Sequence, residues 1–218
     1  MQRQGVIFDL DGVLVDSSAL HLESWRIVGA ERGFTMTEQL FWETFGMPNR
    51  QIFALLFPEP LSEEEAQELS EHKEAVYRQL AAGRLQALPG AVPLLNSLRA
   101  AGFRVALGSS TPQSNIAVIL RAVGIEDCFD AIVCGDDVTH GKPHPEVFLK
   151  AAERLHLPPE CCVVVEDAVV GVQAAKAAGM RCLAVTTTHP AEKLTEADRV
   201  VDTLEGLTAD DFAALLRM

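Results

Sequence analysis

The sequence predicts an α/β fold, a mainly parallel sheet interrupted early by an all-helical module. Three observations predict it. Short apolar runs alternate with segments of helical period, the pattern of successive βαβ units. Glycines stand where the intervening helices should stop. Residues 16–83 break the alternation and contain no convincing strand.

The elements follow in order. Gly5 to Phe8 reads as a buried strand, apolar on both faces, as in a parallel sheet. Residues 17–32 read as a helix with Asp16 or Ser17 at its N-cap. Pro48 opens a short amphipathic stretch over 49–57. Ser62-Glu63-Glu64-Glu65 is a capping box, Ser62 with Glu65, that starts a helix running to about Ala82. Further strands are expected at 104–108, 131–134, 162–165, 182–185 and 200–202. Helices over 91–101, 113–123 and 170–178 end at Gly102, Gly124 and Gly179, each placed for a left-handed C-terminal cap. The expected division is a core of 1–15 and 84–218 with a helical module of 16–83 inserted into it.

Composition narrows the partners. The chain has 218 residues, 48% of them hydrophobic, enough for a sizeable core and too apolar for disorder. A formal net charge of -13 argues against nucleic acid or an anionic membrane as the main partner. A small anionic substrate stays compatible, because a few local cations and a metal outweigh a distant net charge. The five cysteines (Cys128, Cys134, Cys161, Cys162 and Cys182) are odd in number and form no Cys-x-x-Cys pair. Buried, reduced thiols in a cytoplasmic protein are the expectation. No run of 18 apolar residues suggests a membrane span, and Asp9 and Asp11 break the first apolar run, so it does not read as a secretory signal.

The chemistry is expected at the strand ends. In a parallel sheet, sites lie just beyond the carboxyl ends of the strands. Val6-Ile7-Phe8-Asp9-Leu10-Asp11-Gly12 places two aspartates there, and residues i and i+2 of an extended chain point the same way. One carboxylate can attack as a nucleophile while the other moves a proton; a plain strand-end turn would also use Asp and Gly. Leu107-Gly108-Ser109-Ser110-Thr111 puts small hydroxyls after the second long strand, where they can donate to a phosphoryl oxygen or simply cap the next helix. Gly141-Lys142-Pro143-His144-Pro145 stiffens the backbone around one lysine, a point charge for a phosphate or carboxylate. His140 and His144, which flank it, read as surface residues. Cys162-Val163-Val164-Val165-Glu166-Asp167 is a second buried strand ending in acids. With Asp9, this pair can hold a hard divalent cation such as Mg²⁺, which takes oxygen ligands.

Taken in order, Asp9-x-Asp11, Ser109, Lys142 and Glu166-Asp167 resemble the four motifs of the haloacid dehalogenase-like hydrolase superfamily, and the resemblance spans the whole chain. The opening Asp11-Gly12-Val13-Leu14-x-Asp16-Ser17 and the helical insert resemble the subgroup of β-phosphoglucomutase and many small-metabolite phosphatases. The resemblance implies a doubly wound core with a helical cap inserted after the first strand. It implies that Asp9 is the nucleophile, forming an aspartyl-phosphate, and that Asp11 is the general acid and base. Ser109, Ser110 and Lys142 would hold the phosphoryl group. Asp9, Asp11 through its backbone carbonyl, and Asp167 would bind Mg²⁺, with Glu166 a ligand or its partner. The second aspartate separates the chain from the dehalogenases of the superfamily.

In the cap, His21 and Trp25 lie four apart, on one helix face, and match a His and Trp of the mutase-like subgroup. Lys73 occupies a place comparable to a cap lysine of the mutase. Gly46-Met47-Pro48-Asn49-Arg50 falls where the mutase carries Gly-x-Ser-Arg; Asn49 takes the arginine's place and Arg50 comes one residue later. These expectations lead first to a Mg²⁺-dependent phosphatase of small phosphorylated metabolites, sugar phosphates foremost, acting as a monomer. A β-phosphoglucomutase-type phosphosugar mutase is the alternative, and a non-catalytic protein that retains the fold is a third reading.

Overall fold

The computed structural model describes residues 3–45 and 47–218. Two compact units are present, one of Met1–Asp16 with Gln86–Met218, the other of Ser17–Leu85.

The first unit is built on a six-stranded sheet of order β3-β2-β1-β4-β5-β6, with every neighbouring pair parallel. The strands are β1 (Gly5–Phe8), β2 (Arg104–Gly108), β3 (Ala131–Val133), β4 (Cys162–Glu166), β5 (Arg181–Val185) and β6 (Arg199–Val201). β1 and β4 are buried along their whole length, which is why they read as unbroken apolar runs rather than alternating ones. The chain winds outward from β1 to β2 and β3, then crosses back to β4 on the far side of β1 and continues to β5 and β6. The winding therefore reverses between β1 and β4, the place where doubly wound sheets open a crevice for ligands.

In the first unit, helices Ala91–Ala100, Gln113–Val123 and Val169–Ala177 are found within one residue of expectation. Gly102, Gly124 and Gly179, just after them, have φ of 84°, 70° and 74°. Two helices of this unit had no reading from the sequence. Glu146–Leu155 starts after Pro145 and stops on His156, whose φ is 56°, so it lacks the glycine that marks the other stops. Ala209–Leu215 is short, and its capping box pairs Thr208 with Asp211 rather than with a glutamate. One face of the sheet buries Ile7, Ala106, Val164 and Cys182 against Phe148, Ala151 and Leu155 of the Glu146–Leu155 helix and Val172 and Ala175 of the Val169–Ala177 helix. All five cysteines are free and buried. Among the described residues, no helix is long and apolar enough to cross a membrane.

The second unit is all helical: Ser18–Arg32, Glu38–Thr44, Asn49–Leu56 and Glu63–Ala81. Ser17 sits at the N-cap of the first helix, but in a helical backbone conformation (φ -100°, ψ -8°), and its side chain does not cap that helix. The expected box at Ser62 is formed: Glu65 N–H donates to Ser62 Oγ and Ser62 N–H donates to Glu65 Oε2. Glu38–Thr44 was not read from the sequence; Thr37 caps it by accepting the Leu40 N–H at 3.1 Å. The apolar faces meet in a core of Trp25, Val28, Phe34, Phe41, Phe53 and Leu69.

That core sits beside a charge. The Lys73 side chain is only 2% exposed, and its Nζ donates to Glu74 Oε1 at 2.8 Å. Burial alone would raise the Glu74 carboxyl. Lys73, His21 and hydrogen bonds from Lys73 and Asn49 outweigh burial and lower it to about 2. A carboxylate held below its ordinary 4.5 adds stability that is complete above pH 4.5 and is lost as the pH falls toward 2. Glu74→Gln removes the buried carboxylate to which Lys73 and Asn49 donate and is expected to cost about 3–5 kcal/mol at pH 7. Both tryptophans, Trp25 and Trp42, lie in this unit, so urea unfolding of the full chain followed by tryptophan fluorescence checks it. The gap between wild type and variant should shrink between pH 4.5 and 2.

Candidate active site

The carboxyl ends of four adjacent strands, β2-β1-β4-β5, carry the polar residues. Asp9 follows β1 directly. Its N–H donates to Val165 O of β4 at 3.0 Å, which continues the ladder and fixes the side chain beside the switch point. Glu166 ends β4 and Asp167 follows it. One carboxylate oxygen from each of Asp9, Glu166 and Asp167 lies within 4.8 Å of the others, and all three residues are buried.

Lys142 reaches into this cluster from the segment before the Glu146–Leu155 helix. Its Nζ donates to Asp9 Oδ1 at 2.8 Å and to Glu166 Oε1 at 2.6 Å, and it stands 4.9 Å from the centre of the Phe148 ring. Burial would lower the ammonium's pKa, but Asp9 and Glu166 outweigh it and raise the value, so the lysine stays charged. Burial acts the other way on the acids. It pushes the Asp9 carboxyl up to about 7, with Lys142 opposing and Glu166 and Asp11 reinforcing the rise. Burial, then Glu166 and Asp9, also raise Asp167 well above the carboxylate range. With all three acids ionised, the cluster would carry more negative charge than one lysine balances, which is why burial and mutual repulsion favour the protonated forms of Asp9 and Asp167. An oxygen-only donor set under such mutual repulsion fits a hard divalent cation, which would lower the energy of the ionised forms.

The two acids after β4 differ in what they touch. Glu166 engages Lys142 with one oxygen and the backbone N–H groups of Asp167 and Ala168 with the other, at 2.8 and 2.9 Å. Asp167 Oδ2 accepts from the Thr188 hydroxyl. Both carboxyls are pressed against glycines. A Cβ on Gly171 would collide with Glu166 Cδ, and one on Gly12, whose φ is +77°, with Asp167 Oδ2. Both positions require the smallest residue, Gly12 for backbone conformation as well as for space.

Asp11, two residues beyond Asp9, is partly exposed. Its Oδ2 accepts from Thr111 Oγ1 at 2.7 Å. Ser109 is buried after β2 and its Oγ accepts the Thr111 N–H at 3.1 Å, while Ser110 is exposed. The structure thus brings Asp9, Lys142, Glu166 and Asp167 into one cluster and links Asp11 to Ser109 through Thr111. Sequence reasoning included Thr111 in the hydroxyl run after β2 without giving it a role of its own, and missed two further threonines: Thr188, and Thr187, whose hydroxyl donates to Gly12 O. The signal for the last two was a run of hydroxyls, Thr186 to Thr188, directly after β5, the same pattern that singled out Ser109 after β2.

In the helical unit, His21, Trp25 and Lys73 come together. Lys73 Nζ lies 2.8 Å from His21 Nδ1, 5.2 Å from the Trp25 ring centre and 5.6 Å from that of Tyr77. The His21 ring stacks on Tyr77 at 3.9 Å. Burial and then Lys73 hold the His21 imidazole well below its usual pKa, so it is neutral and Nδ1 accepts from the ammonium. Asn49 joins the group: its Nδ2 donates to Glu74 Oε1 at 2.8 Å and to Ser70 Oγ at 3.0 Å. Arg50 does not join it. It is half exposed and pairs with Glu63 at 2.6 Å. Gly46, which opens the Gly46–Arg50 motif, lies outside the described residues.

Known proteins share this architecture. The family model of the haloacid dehalogenase-like hydrolases matches residues 4–179. A phosphorylated carbohydrates phosphatase of Thermotoga maritima is 38% identical over 182 residues, 81% of this chain and 82% of its own length. A fructose-1-phosphate phosphatase of Escherichia coli is 33% identical over 177 residues, 81% of this chain and 93% of its own. The solved β-phosphoglucomutase of Clostridium difficile superposes with a TM-score of 0.87 at 28% identity, covering 99% of this chain and 98% of that one. With a buried Asp9-Lys142-Glu166-Asp167 cluster at the switch point of the matching sheet, the chain belongs to the haloacid dehalogenase-like hydrolase family.

Proposed function

We propose that this chain is a Mg²⁺-dependent phosphatase of small phosphorylated metabolites, sugar phosphates foremost, working through an aspartyl-phosphate on Asp9. Hydrolysis of a phosphoric monoester is the activity its relatives are named for. The observation that carries the reading is the pairing of Asp9, at the carboxyl end of β1, with a buried, charged Lys142 and two further acids.

The chain's own groups account for the steps. Lys142 and Ser109 hold the phosphoryl oxygens, with the exposed Ser110 beside them, and place phosphorus in line with an Asp9 oxygen. That oxygen attacks, the bond from phosphorus to the ester oxygen breaks, and the departing oxygen takes a proton from Asp11. Asp11, now a carboxylate, takes a proton from water. The water oxygen attacks phosphorus, the bond to Asp9 breaks, and inorganic phosphate is released. Thr111 holds Asp11 in orientation for both transfers. Asp9, the Asp11 carbonyl and Asp167, with Glu166 supporting, would hold Mg²⁺, whose positive charge would offset the carboxylates and the phosphoryl oxygens. Ser17–Leu85 serves as the cap that chooses the substrate, through His21, Trp25 and Lys73. Arg50, tied to Glu63, is the weakest of the cap candidates.

A second reading, a phosphosugar mutase, rests on the grouping of His21, Trp25 and Lys73, which the resemblance associates with mutase caps. It uses the same Asp9 and Asp11 but returns the phosphoryl group to a second hydroxyl of the sugar.

Asp9→Asn is expected to lower turnover on the order of 10⁵-fold or more with the fold intact by circular dichroism; unchanged activity would remove Asp9 as the nucleophile. Dialysis against EDTA should stop phosphate release and millimolar Mg²⁺ should restore it, whereas full turnover in EDTA would contradict the role given to Asp167. Phosphorus NMR with β-glucose 1-phosphate, Mg²⁺ and a trace of the sugar bisphosphate separates the two readings. Inorganic phosphate is the expected product. A growing glucose 6-phosphate signal without free phosphate would establish the mutase instead.

A further inference from the structure

One cluster of metal-ligating side chains stands apart from the buried acids. His140 and His144 lie two residues to either side of Lys142, and Glu146 opens the Glu146–Leu155 helix. Both histidines are exposed and Glu146 is half-buried. The two imidazole rings are 4.6 Å apart, and one ligand atom from each of the three residues lies within 4.8 Å of the others.

Glu146 is already oriented. Its carboxylate accepts the N–H groups of Thr139 at 3.1 Å and His140 at 3.0 Å, and receives Lys150 Nζ at 2.7 Å. Lys150 is anchored in turn on Asp137 O at 2.6 Å. The Glu146 N–H points at His144 Nδ1 at 3.3 Å, which leaves the other nitrogen of that ring for a ligand. His140 Nδ1 lies 3.1 Å from Glu146 Oε2, within hydrogen-bond distance, so ring and carboxylate are already held side by side. Backbone and lysine donors that fix a ligating carboxylate are the supports that metal sites commonly have.

We propose that His140, His144 and Glu146 form a binding site for a borderline divalent transition-metal ion, Zn²⁺ above all, which clips the Lys142 segment to the start of the Glu146–Leu155 helix. The donor set decides the class of ion. Two imidazole nitrogens and one carboxylate oxygen suit Zn²⁺ with water in a fourth position. Mg²⁺ takes oxygen donors and an octahedral shell, and that chemistry belongs to Asp9, Glu166 and Asp167. The two ligand sets therefore sort two kinds of ion within one unit. Coordination closes a ring through residues 140–144 with Lys142 at its middle, restricting the backbone that delivers the ammonium to Asp9.

The test is isothermal titration of the tag-free, full-length protein with Zn²⁺ in millimolar Mg²⁺, paired with amide hydrogen exchange. One Zn²⁺ per chain at micromolar affinity is expected, with exchange slowed over 138–146. His140→Ala and His144→Ala should each weaken binding by about a hundredfold and abolish the slowing, while Asp9→Asn and Asp167→Asn should leave both unchanged. His144→Asp, which keeps a ligand, should weaken it less than His144→Ala. No binding at millimolar Zn²⁺, binding insensitive to the histidine variants, or binding lost in the aspartate variants would each overturn the proposal.

Discussion

Everything at the carboxyl end of the sheet depends on one ammonium group. Lys142 stands between Asp9 and Glu166, 2.8 and 2.6 Å from them, in a place where its side chain is 8% exposed. Without it, three buried acids would face one another at short range, and such a cluster would discharge itself by taking up protons. With it, Glu166 is fully engaged and the raised Asp9 sits near the middle of the titration range, available to be ionised by one more positive charge. A lysine bridge of this kind is a poor way to hold a fold together, since each charge has left water. Its presence makes sense as a device for keeping acids poised to ionise where a phosphoryl group and a cation are to be met.

The sheet is what makes the bridge possible. Asp9 and Lys142 are 133 residues apart in sequence, and Glu166 lies 24 further on. Parallel strands direct all their carboxyl ends to one edge, so residues from distant parts of the chain arrive there without any of them being adjacent in sequence. The reversal of winding between β1 and β4 leaves that edge open at the point where Asp9 and Asp167 emerge. The glycines at 12 and 171 then let the loop after β1 and the helix after β4 press directly on the carboxyls. Rigid packing beneath supplies the precision: Phe148 is fully buried under Gly108 and beneath the lysine.

Much of this was legible in the sequence because buried parallel strands and acids at strand ends leave blunt signals. An apolar run such as Cys162 to Val165, set before Glu166 and Asp167, can be read without knowing what packs on it. Glycine stops made the Gln113–Val123 helix readable to the residue. The Glu146–Leu155 helix escaped because His156 takes the left-handed conformation that a glycine would have advertised. The roles of Thr111 and Thr188 escaped for a different reason: a threonine after a strand is common, and only the three-dimensional partner, Asp11 or Asp167, gives it meaning. In the helical unit, the shift of arginine from position 49 to 50 was visible, but not that Asn49 would turn to Glu74 while Arg50 turned to Glu63.

The left-handed stops at Gly102, Gly124 and Gly179 all precede strands, at the edge of the sheet opposite the chemistry. An added Cβ at any of them would meet nothing within 4 Å. The core unit thus has a working end, where a methyl group cannot be added beside Glu166, and an end with room to spare. For anyone wishing to attach this protein to a surface, splice in a reporter or reopen the chain at new termini, the second end is a ready-made handle. Its turns can be lengthened while the strand ends that carry Asp9, Ser109 and Glu166 stay where they are.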